Sequence, residues 1–384
     1  MGFEFATAGR ISFGAGVLRE AGELATGMGR RALVVSGRSS GGRQALLDLL
    51  GGKGITVTTF VVTGEPTLDM VREGVRLARE QGCEFVAAIG GGSPLDTGKA
   101  IAAMLANPGD ITDYLEVVGA GKRLANPSLP VIAIPTTAGT GTEVTRNAVI
   151  GSPDKHVKVS LRSPYLLPRF ALVDPELTYS LPPQPTAYSG MDALVQLIEP
   201  YLSPRSNPLT DGICREGIKR VARSLLRAYQ NGNDGAARED MCLASLFGGL
   251  ALANASLGAV HGFASVIGGL TGAPHGAICA RLLAPGMKLN GNALKERAPG
   301  SPALERLDEI SAILTDNPHA NLDDGINWVE TLCADLHIPT LADLGLREQD
   351  IPRVAEGSLV TSSMKANPIQ LKTDELAACL QGAL

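Results

Sequence analysis

The sequence predicts two domains in series: an α/β domain built on a parallel sheet over residues 1–180, then an all-α domain over residues 181–384. Three observations carry this. Short apolar runs alternate with helical segments of about 10–15 residues through the first half, the rhythm of βαβ units with helices on both faces of a sheet. The Pro-rich stretch Leu181–Thr186 (LPPQPT) interrupts that rhythm, and beyond it strand signals vanish. A chain of 384 residues, 44% hydrophobic and 19% charged, also has enough apolar material for two separate cores.

The elements follow in order. Arg31–Ser36 (RALVVS) is a short apolar strand ended by Gly37, and a helix follows around Gly42–Leu50. Ile55–Val62 is rich in β-branched residues and reads as a strand; Leu68–Gln81 has helical periodicity through Met70, Val71, Val75, Leu77 and Ala78. Phe85–Ile89 and Leu129–Ile134 are further strands. Val144–Ile150 and His156–Leu161 form a hairpin with its turn at Gly151–Asp154, and Phe170–Val173 is a last strand. In the second half the helical runs are Asp192–Tyr201, Pro208–Gln230, Gly235–Ala255, His275–Leu289, Pro302–Leu314, Leu322–Leu336, Glu348–Val354 and Thr373–Leu380.

Composition narrows the function classes. A net charge of −5 and 4% aromatic residues give neither the basic surface nor the stacking platforms that nucleic-acid binding uses. The six cysteines form no C-x-x-C pair, which fits reduced thiols in a cytoplasm better than a disulfide framework. The N-terminus lacks the apolar core of a secretory signal. Met241–Ala280 carries no charged residue and is long enough to span a bilayer. Its glycines, serines, Asn254 and two histidines, with no flanking basic cluster or aromatic belt, assign it instead to one or two helices buried in a soluble domain.

Two loops carry the signals for phosphate binding. Gly90-Gly91-Gly92-Ser93-Pro94 follows a strand directly and precedes a helix beginning near Leu95, so backbone N–H groups and a helix N-terminus can meet an anion there. The P-loop spacing fails, because Ser93 stands where a glycine belongs and Ala100 where the Ser/Thr belongs. Pro135–Thr145 (PTTAGTGTEVT) also follows a strand, with five threonines and two glycines in eleven residues. Either loop read alone can be a structural turn. Together, at the ends of neighbouring strands, they form the arrangement a doubly wound sheet uses for a nucleotide.

A metal site is the second candidate. Ser189 can cap a helix starting near Met191, on which Asp192 and Gln196 share a face at i,i+4 with Glu199 one turn further. His261 and His275 lie in the uncharged stretch. An Asp and two His on three helices can supply three ligands to a divalent cation with a position left open. A single His in an apolar segment is more often a satisfied core residue, but two buried imidazoles need partners. His156, His319 and His337 sit in a hairpin or loops and read as structural or solvated.

At these residues the sequence resembles the iron-containing (group III) alcohol dehydrogenase family, of the dehydroquinate synthase-like superfamily. The resemblance runs from FATAGRISFGAG through AIGGGSPLDTGKA, IPTTAGTGTEVT, LVDPELTYSLPP, GMDALVQLIEPYLS and HGFASVIGGLTGAPHG to ANPIQLKTDEL. It implies a dinucleotide-binding α/β domain, a helical metal- and substrate-binding domain, and NAD(P)-dependent, metal-dependent interconversion of a small alcohol and its aldehyde or ketone. Gly91, Gly92, Ser93 and Asp96 would surround the pyrophosphate; Thr136, Thr137, Thr140 and Thr145 would line the cofactor; Lys158 would reach its ribose. Asp192, Gln196, His261 and His275 would map to the metal ligands, with Asp192 and the two His also the catalytic centre. The chain departs from the family twice, with Gln196 at a usual His position and Ser265 where many members place a second His near the nicotinamide. A neutral amide is a weak ligand, which moves the expectation from Fe2+ toward Zn2+. After RALVVS the family often has an Asp on the adenosine ribose. Gly37-Arg38-Ser39-Ser40 stands here, so Gly37 and Ser39 are cofactor candidates and NADP is expected over NAD. The resemblance implies a homodimer or higher homo-oligomer acting on a small molecule, without nucleic acid or membrane. Two alternatives stand beside this reading: a lyase of the dehydroquinate synthase type, or a nucleotide-binding protein that has lost turnover.

Overall fold

The computed structural model describes residues 2–38, 41–115, 119–152 and 157–384. The chain divides into an α/β unit, Ala6–Thr137 with Gly141–Leu181, and a helical unit, Pro182–Leu384, which also takes in Ala138–Thr140 and the extreme N-terminus.

The α/β unit is a six-stranded sheet with β1 (Arg10–Phe13), β2 (Arg31–Gly37), β3 (Thr56–Val62), β4 (Phe85–Gly90), β5 (Val131–Pro135) and β8 (Phe170–Val173). The order is β1-β8-β5-β4-β2-β3 and every pairing is parallel. Alternate residues of the inner strands feed two cores. Ala32 and Val34 face Leu46 and Leu50 of α2 (Arg43–Gly51). Leu33 and Val35 face Val71 and Val75 of α3 (Leu68–Glu80) and Ile101 of α4 (Gly92–Ala106). A strand covered on both sides has no polar face, which is why RALVVS and FVAAI read as unbroken apolar runs. The chain lays β3 outside β2, then crosses to place β4 on the other side. The strand order therefore reverses between β2 and β4, and their carboxyl ends flank the crevice where open α/β sheets bind ligands. An antiparallel pair, β6 (Asn147–Ser152) and β7 (Val157–Arg162), stands apart from the sheet.

The helical unit holds α5 (Pro183–Leu202), α6 (Pro208–Gln230), α7 (Gly235–Ala255), α8 (Ala259–Thr271), α9 (His275–Arg297), α10 (Pro302–Thr315), α11 (Leu322–Asp335), α12 (Ile351–Leu359) and α13 (Thr373–Ala383). Helix α5 is buried along most of its length and packs on α6, α7 and α9. The uncharged stretch Met241–Ala280 becomes the end of α7, all of α8 and the start of α9. Among the described residues no single helix is long and apolar enough to cross a membrane; α7 and α8 together reach that length but meet at 100°.

Several expected boundaries move. Helix α5 starts at Pro183, not near Met191, because prolines are tolerated in a first turn where N–H groups lack intrahelical partners anyway. Ser189 is therefore inside the helix and caps nothing; its hydroxyl donates back to the Pro185 carbonyl at 2.7 Å. Helix α4 likewise starts at Gly92, with Pro94 in its first turn, not at Leu95. Gly151 and Ser152, expected in the hairpin turn, belong to β6; the rest of that turn and His156 lie outside the described residues. Strand β1 and the short helix α1 (Ala21–Thr26) were not expected: each is four to six residues long, too short for a periodic signal.

Candidate active site

The helical unit brings together three of the expected ligands. Asp192 comes from the middle of α5, His261 from the first turn of α8, and His275 is the first residue of α9. Asp192 Oδ1 lies 3.4 Å from His261 Nε2 and 3.7 Å from His275 Nε2. Asp192 is 3% exposed, yet its Oδ1 has no hydrogen-bond partner. A buried carboxylate oxygen without a donor is costly unless something positive meets it, and two imidazole nitrogens converge on the same point. This donor set fits a divalent cation of the zinc or iron class.

The surrounding groups hold the set in place. Glu199, one α5 stretch beyond Asp192, accepts from the Val260 N–H at 2.6 Å and pairs with His261 Nδ1 at 2.7 Å. That contact fixes the Nδ1 edge of the ring at Glu199 and turns Nε2 toward Asp192 Oδ1, the carboxylate–histidine arrangement of metal sites. Asn367 accepts from the Ala259 N–H at 3.1 Å and so fixes the start of α8. Gln196 donates its amide N–H2 to Asp192 Oδ2 at 2.8 Å and to the Gly139 carbonyl at 3.3 Å. An ionised carboxylate only accepts, so the Gln196 nitrogen must face Asp192. Its Oε1 is buried without a partner. Ser265 hydrogen-bonds the His261 carbonyl at 2.9 Å. At Gly276 any Cβ would overlap the Tyr188 carbonyl, so only glycine lets α9 approach α5 closely enough to present His275.

The field at this point is negative. Burial pulls the His261 imidazole down, but the Asp192 and Glu199 carboxylates beside it more than offset that and hold it up at about 9. Burial pushes Asp192 up, and the neighbouring His261 and His275 outweigh it, holding the carboxyl below its ordinary value. Two carboxylates around one ring thus call for positive charge, supplied by a proton when no cation is present.

Sequence reasoning missed Cys279. It is buried on α9, one turn after His275, with its Sγ 3.6 Å from His275 Nε2. The ligand atoms of Asp192, His261, His275 and Cys279 all lie within 4.8 Å of one another. The signal available was the His-x-x-x-Cys spacing on a helix.

The cofactor candidates lie mainly in the α/β unit. Gly91, Gly92 and Ser93 form the N-terminus of α4, entered through Gly90 at φ 147°, a backbone angle suited to glycine alone. Gly91 stands against Thr137, where an added Cβ would come within 3.3 Å of its methyl group, and the Thr136 N–H donates to the Gly90 carbonyl at 2.8 Å. The two polar loops are therefore neighbours at the ends of β4 and β5, beside the switch point. Gly37 ends β2 there; Ser39 lies outside the described residues. Thr140 is half-buried in the Ala138–Thr140 segment that belongs with the helical unit. Lys158 on β7 pairs with Glu65 at 3.3 Å. Asp96 and Thr145 are turned inward. Asp96 accepts from the Thr142 hydroxyl and, at 2.9 Å, from the Val149 N–H. Thr145 Oγ1 meets Lys99 Nζ at 3.0 Å. Lys99, seen in the sequence only as part of a failed P-loop, is completely buried and also reaches both the hydroxyl and the carbonyl of Thr142 at 2.9 Å. A cavity of about 630 Å³ elsewhere in this unit, lined by Gly16, Leu18, Gly42 and Leu177, contains none of the candidate residues.

Glu143, in the same loop, is 1% exposed, and burial pushes its carboxyl up to about 7 from an ordinary 4.5. Between those pH values the folded chain keeps a proton that the unfolded chain has lost. Stability from this group therefore falls as pH rises through the window. Glu143→Gln is expected to flatten that slope and to raise stability above neutral pH by up to roughly 3 kcal/mol. Denaturation midpoints measured across the window check it.

Comparisons with known proteins give one family for both units. The family model described as iron-containing alcohol dehydrogenase matches residues 8–175, and that of the Fe-containing alcohol dehydrogenase family, C-terminal, matches residues 186–384. Alcohol dehydrogenase 4 of Schizosaccharomyces pombe is 38% identical over 338 residues, covering 88% of this chain and 77% of that protein. The crystal structure of a 1,3-propanediol oxidoreductase superposes with a TM-score of 0.93 at 33% identity, covering 100% of both chains. The sulfoacetaldehyde reductase of Bifidobacterium kashiwanohense, solved in complex with NAD+, superposes with a TM-score of 0.86 at 30% identity, covering 100% of this chain and 99% of that one.

Proposed function

The chain belongs to the iron-containing alcohol dehydrogenase family, and from that premise we propose that it interconverts a small alcohol and its aldehyde or ketone with a nicotinamide cofactor and a divalent cation. The observation that carries the reading is the convergence of Asp192 Oδ1, His261 Nε2 and His275 Nε2 around a buried, unpartnered carboxylate oxygen. When bound, the cation supplies Lewis-acid polarisation of the carbonyl and the nicotinamide supplies the hydride.

The residues of this chain do the positioning. Asp192, His261 and His275 hold the cation. Gln196 orients the Asp192 carboxylate through Oδ2, and Glu199 sets the His261 tautomer. Gly91, Gly92 and Ser93 offer the α4 N-terminus to the cofactor pyrophosphate, with Thr136 and Thr137 beside it, and Thr140 is a further cofactor candidate. Lys99 braces that threonine loop from beneath by tying Thr142 and Thr145 to α4. Ser265 cannot serve as an imidazole relay, so the alcohol proton leaves through a hydroxyl or water.

The cofactor is NADP rather than NAD. The supporting feature is the absence of a carboxylate in Gly37-Arg38-Ser39-Ser40, where a 2′-phosphate would otherwise be repelled. The lack of a C-x-x-C pair among the six cysteines supports a reducing cytoplasm, and the family resemblance supports a homodimer or larger homo-oligomer. Steady-state rates with NADPH and NADH on a panel of small aldehydes, ketones and keto acids test the reading. Aldehyde-dependent oxidation with a higher kcat/KM for NADPH supports it. Turnover with no net change in nicotinamide absorbance would favour the lyase, and binding without turnover the lapsed enzyme.

A further inference from the structure

We propose that the Cys279 thiolate is the fourth protein ligand of the cation held by Asp192, His261 and His275, making the centre an Asp-His-His-Cys site suited to zinc. This rests on the reading of a cation at that centre and assigns a residue to it.

The first argument is geometric. A tetrahedral centre with metal–N and metal–O bonds of about 2.0–2.1 Å and a metal–S bond of about 2.3 Å has edges of about 3.3–3.6 Å between ligand atoms. The separations here are 3.4 Å for Asp192 Oδ1 to His261 Nε2, 3.7 Å for Asp192 Oδ1 to His275 Nε2, and 3.6 Å for His275 Nε2 to Cys279 Sγ. The longest separation among the four ligand atoms stays within 4.8 Å, so a modest contraction around a cation closes the set. The second argument is the unpartnered Asp192 Oδ1, which is buried and aimed into the space these atoms enclose.

Gln196 does not compete for the position on equal terms. Its nitrogen is committed to Asp192 Oδ2 and the Gly139 carbonyl, and its oxygen is a neutral amide donor. Charge favours the thiolate: with Asp192 and Cys279 both anionic, a divalent cation is neutralised inside a buried site. Softness points the same way, because thiolate selects zinc over the harder oxygen-loving cations. In the binding step the Cys279 S–H bond breaks, its proton goes to solvent, and the sulfur lone pair forms the bond to the cation. Nothing is oxidised or reduced.

The test uses the full chain, stripped of metal and reloaded with Co2+ as a spectroscopic probe, or with Zn2+ for X-ray absorption. Wild-type protein is expected to show a thiolate-to-cobalt charge-transfer band in the near ultraviolet and a zinc–sulfur distance of about 2.3 Å. In Cys279→Ala the band should vanish while the ligand-field bands of bound cobalt remain, with zinc affinity lower by at least roughly tenfold. Cys279→Ser, nearly isosteric, guards against misfolding and should lose the band equally. Cobalt bound at one per wild-type chain without a charge-transfer band would overturn the assignment of Cys279 alone. A wild-type chain that takes up no cobalt would overturn this assignment together with the reading on which it rests.

Discussion

Replacing His261 with alanine will strip the helical unit of its cation and lower turnover by roughly a thousandfold, about 4 kcal/mol of transition-state stabilisation. The size follows from how much converges on this ring. Its Nε2 faces Asp192 Oδ1 at 3.4 Å and its Nδ1 is held by Glu199 at 2.7 Å, so its loss leaves two buried carboxylates facing an empty volume. Elemental analysis of the purified variant should show metal well below the wild-type stoichiometry. Nucleotide binding should survive, because the α4 N-terminus, Thr136, Thr137 and Thr145 are in the other unit. Full metal content with full turnover in the variant would contradict the assignment.

Replacing Lys99 with methionine will destabilise the α/β unit by about 3–5 kcal/mol, the cost of leaving buried charge without its partner. Lys99 is completely buried, and its Nζ lies within hydrogen-bond distance of four oxygens of Thr142 and Thr145 and 3.6 Å from Asp96. Burial pulls the Lys99 pKa down, and the carboxyls of Asp96 and Glu143 pull against it. Methionine keeps the volume and removes every donor. Asp96 then keeps the Thr142 hydroxyl and the Val149 N–H but loses its cation, and the Thr142 and Thr145 oxygens lose the donor that ties their loop to α4. Denaturant midpoints should fall and the KM for the cofactor should rise. Unchanged stability would mean that the network contributes nothing net.

Much of this fold was legible because burial on two sides writes itself plainly. Strand β2 is apolar from Ala32 to Val35 and β4 from Phe85 to Ile89, since alternate residues serve opposite cores. The second half read as helical from periodicity alone. The start of α5 did not, because Pro182, Pro183 and Pro185 look like a loop, although a first turn accommodates them. At the site, two histidines in an uncharged stretch stood out because buried imidazoles need partners. Glu199 was visible only as a helix neighbour of Asp192. Its function depends on His261, 62 residues away, and no local pattern encodes that contact. Cys279 was hidden for a different reason. Its partner is not another cysteine but a histidine one turn earlier on α9, so no Cys-x-x-Cys spacing marks it. Lys99 was hidden by the failed P-loop spacing, which gave it no role until Thr142 and Thr145 were seen around it.

The central claim is that alcohol–aldehyde interconversion by this chain depends on a cation held by Asp192, His261 and His275. Its most direct test is to follow metal content and aldehyde-dependent NADPH oxidation on one sample during stepwise chelation and reloading with Zn2+ or Fe2+. The account predicts that activity falls in proportion to metal, reaches zero near zero occupancy, and returns as one equivalent per chain is restored. Sustained turnover by metal-free protein would contradict it.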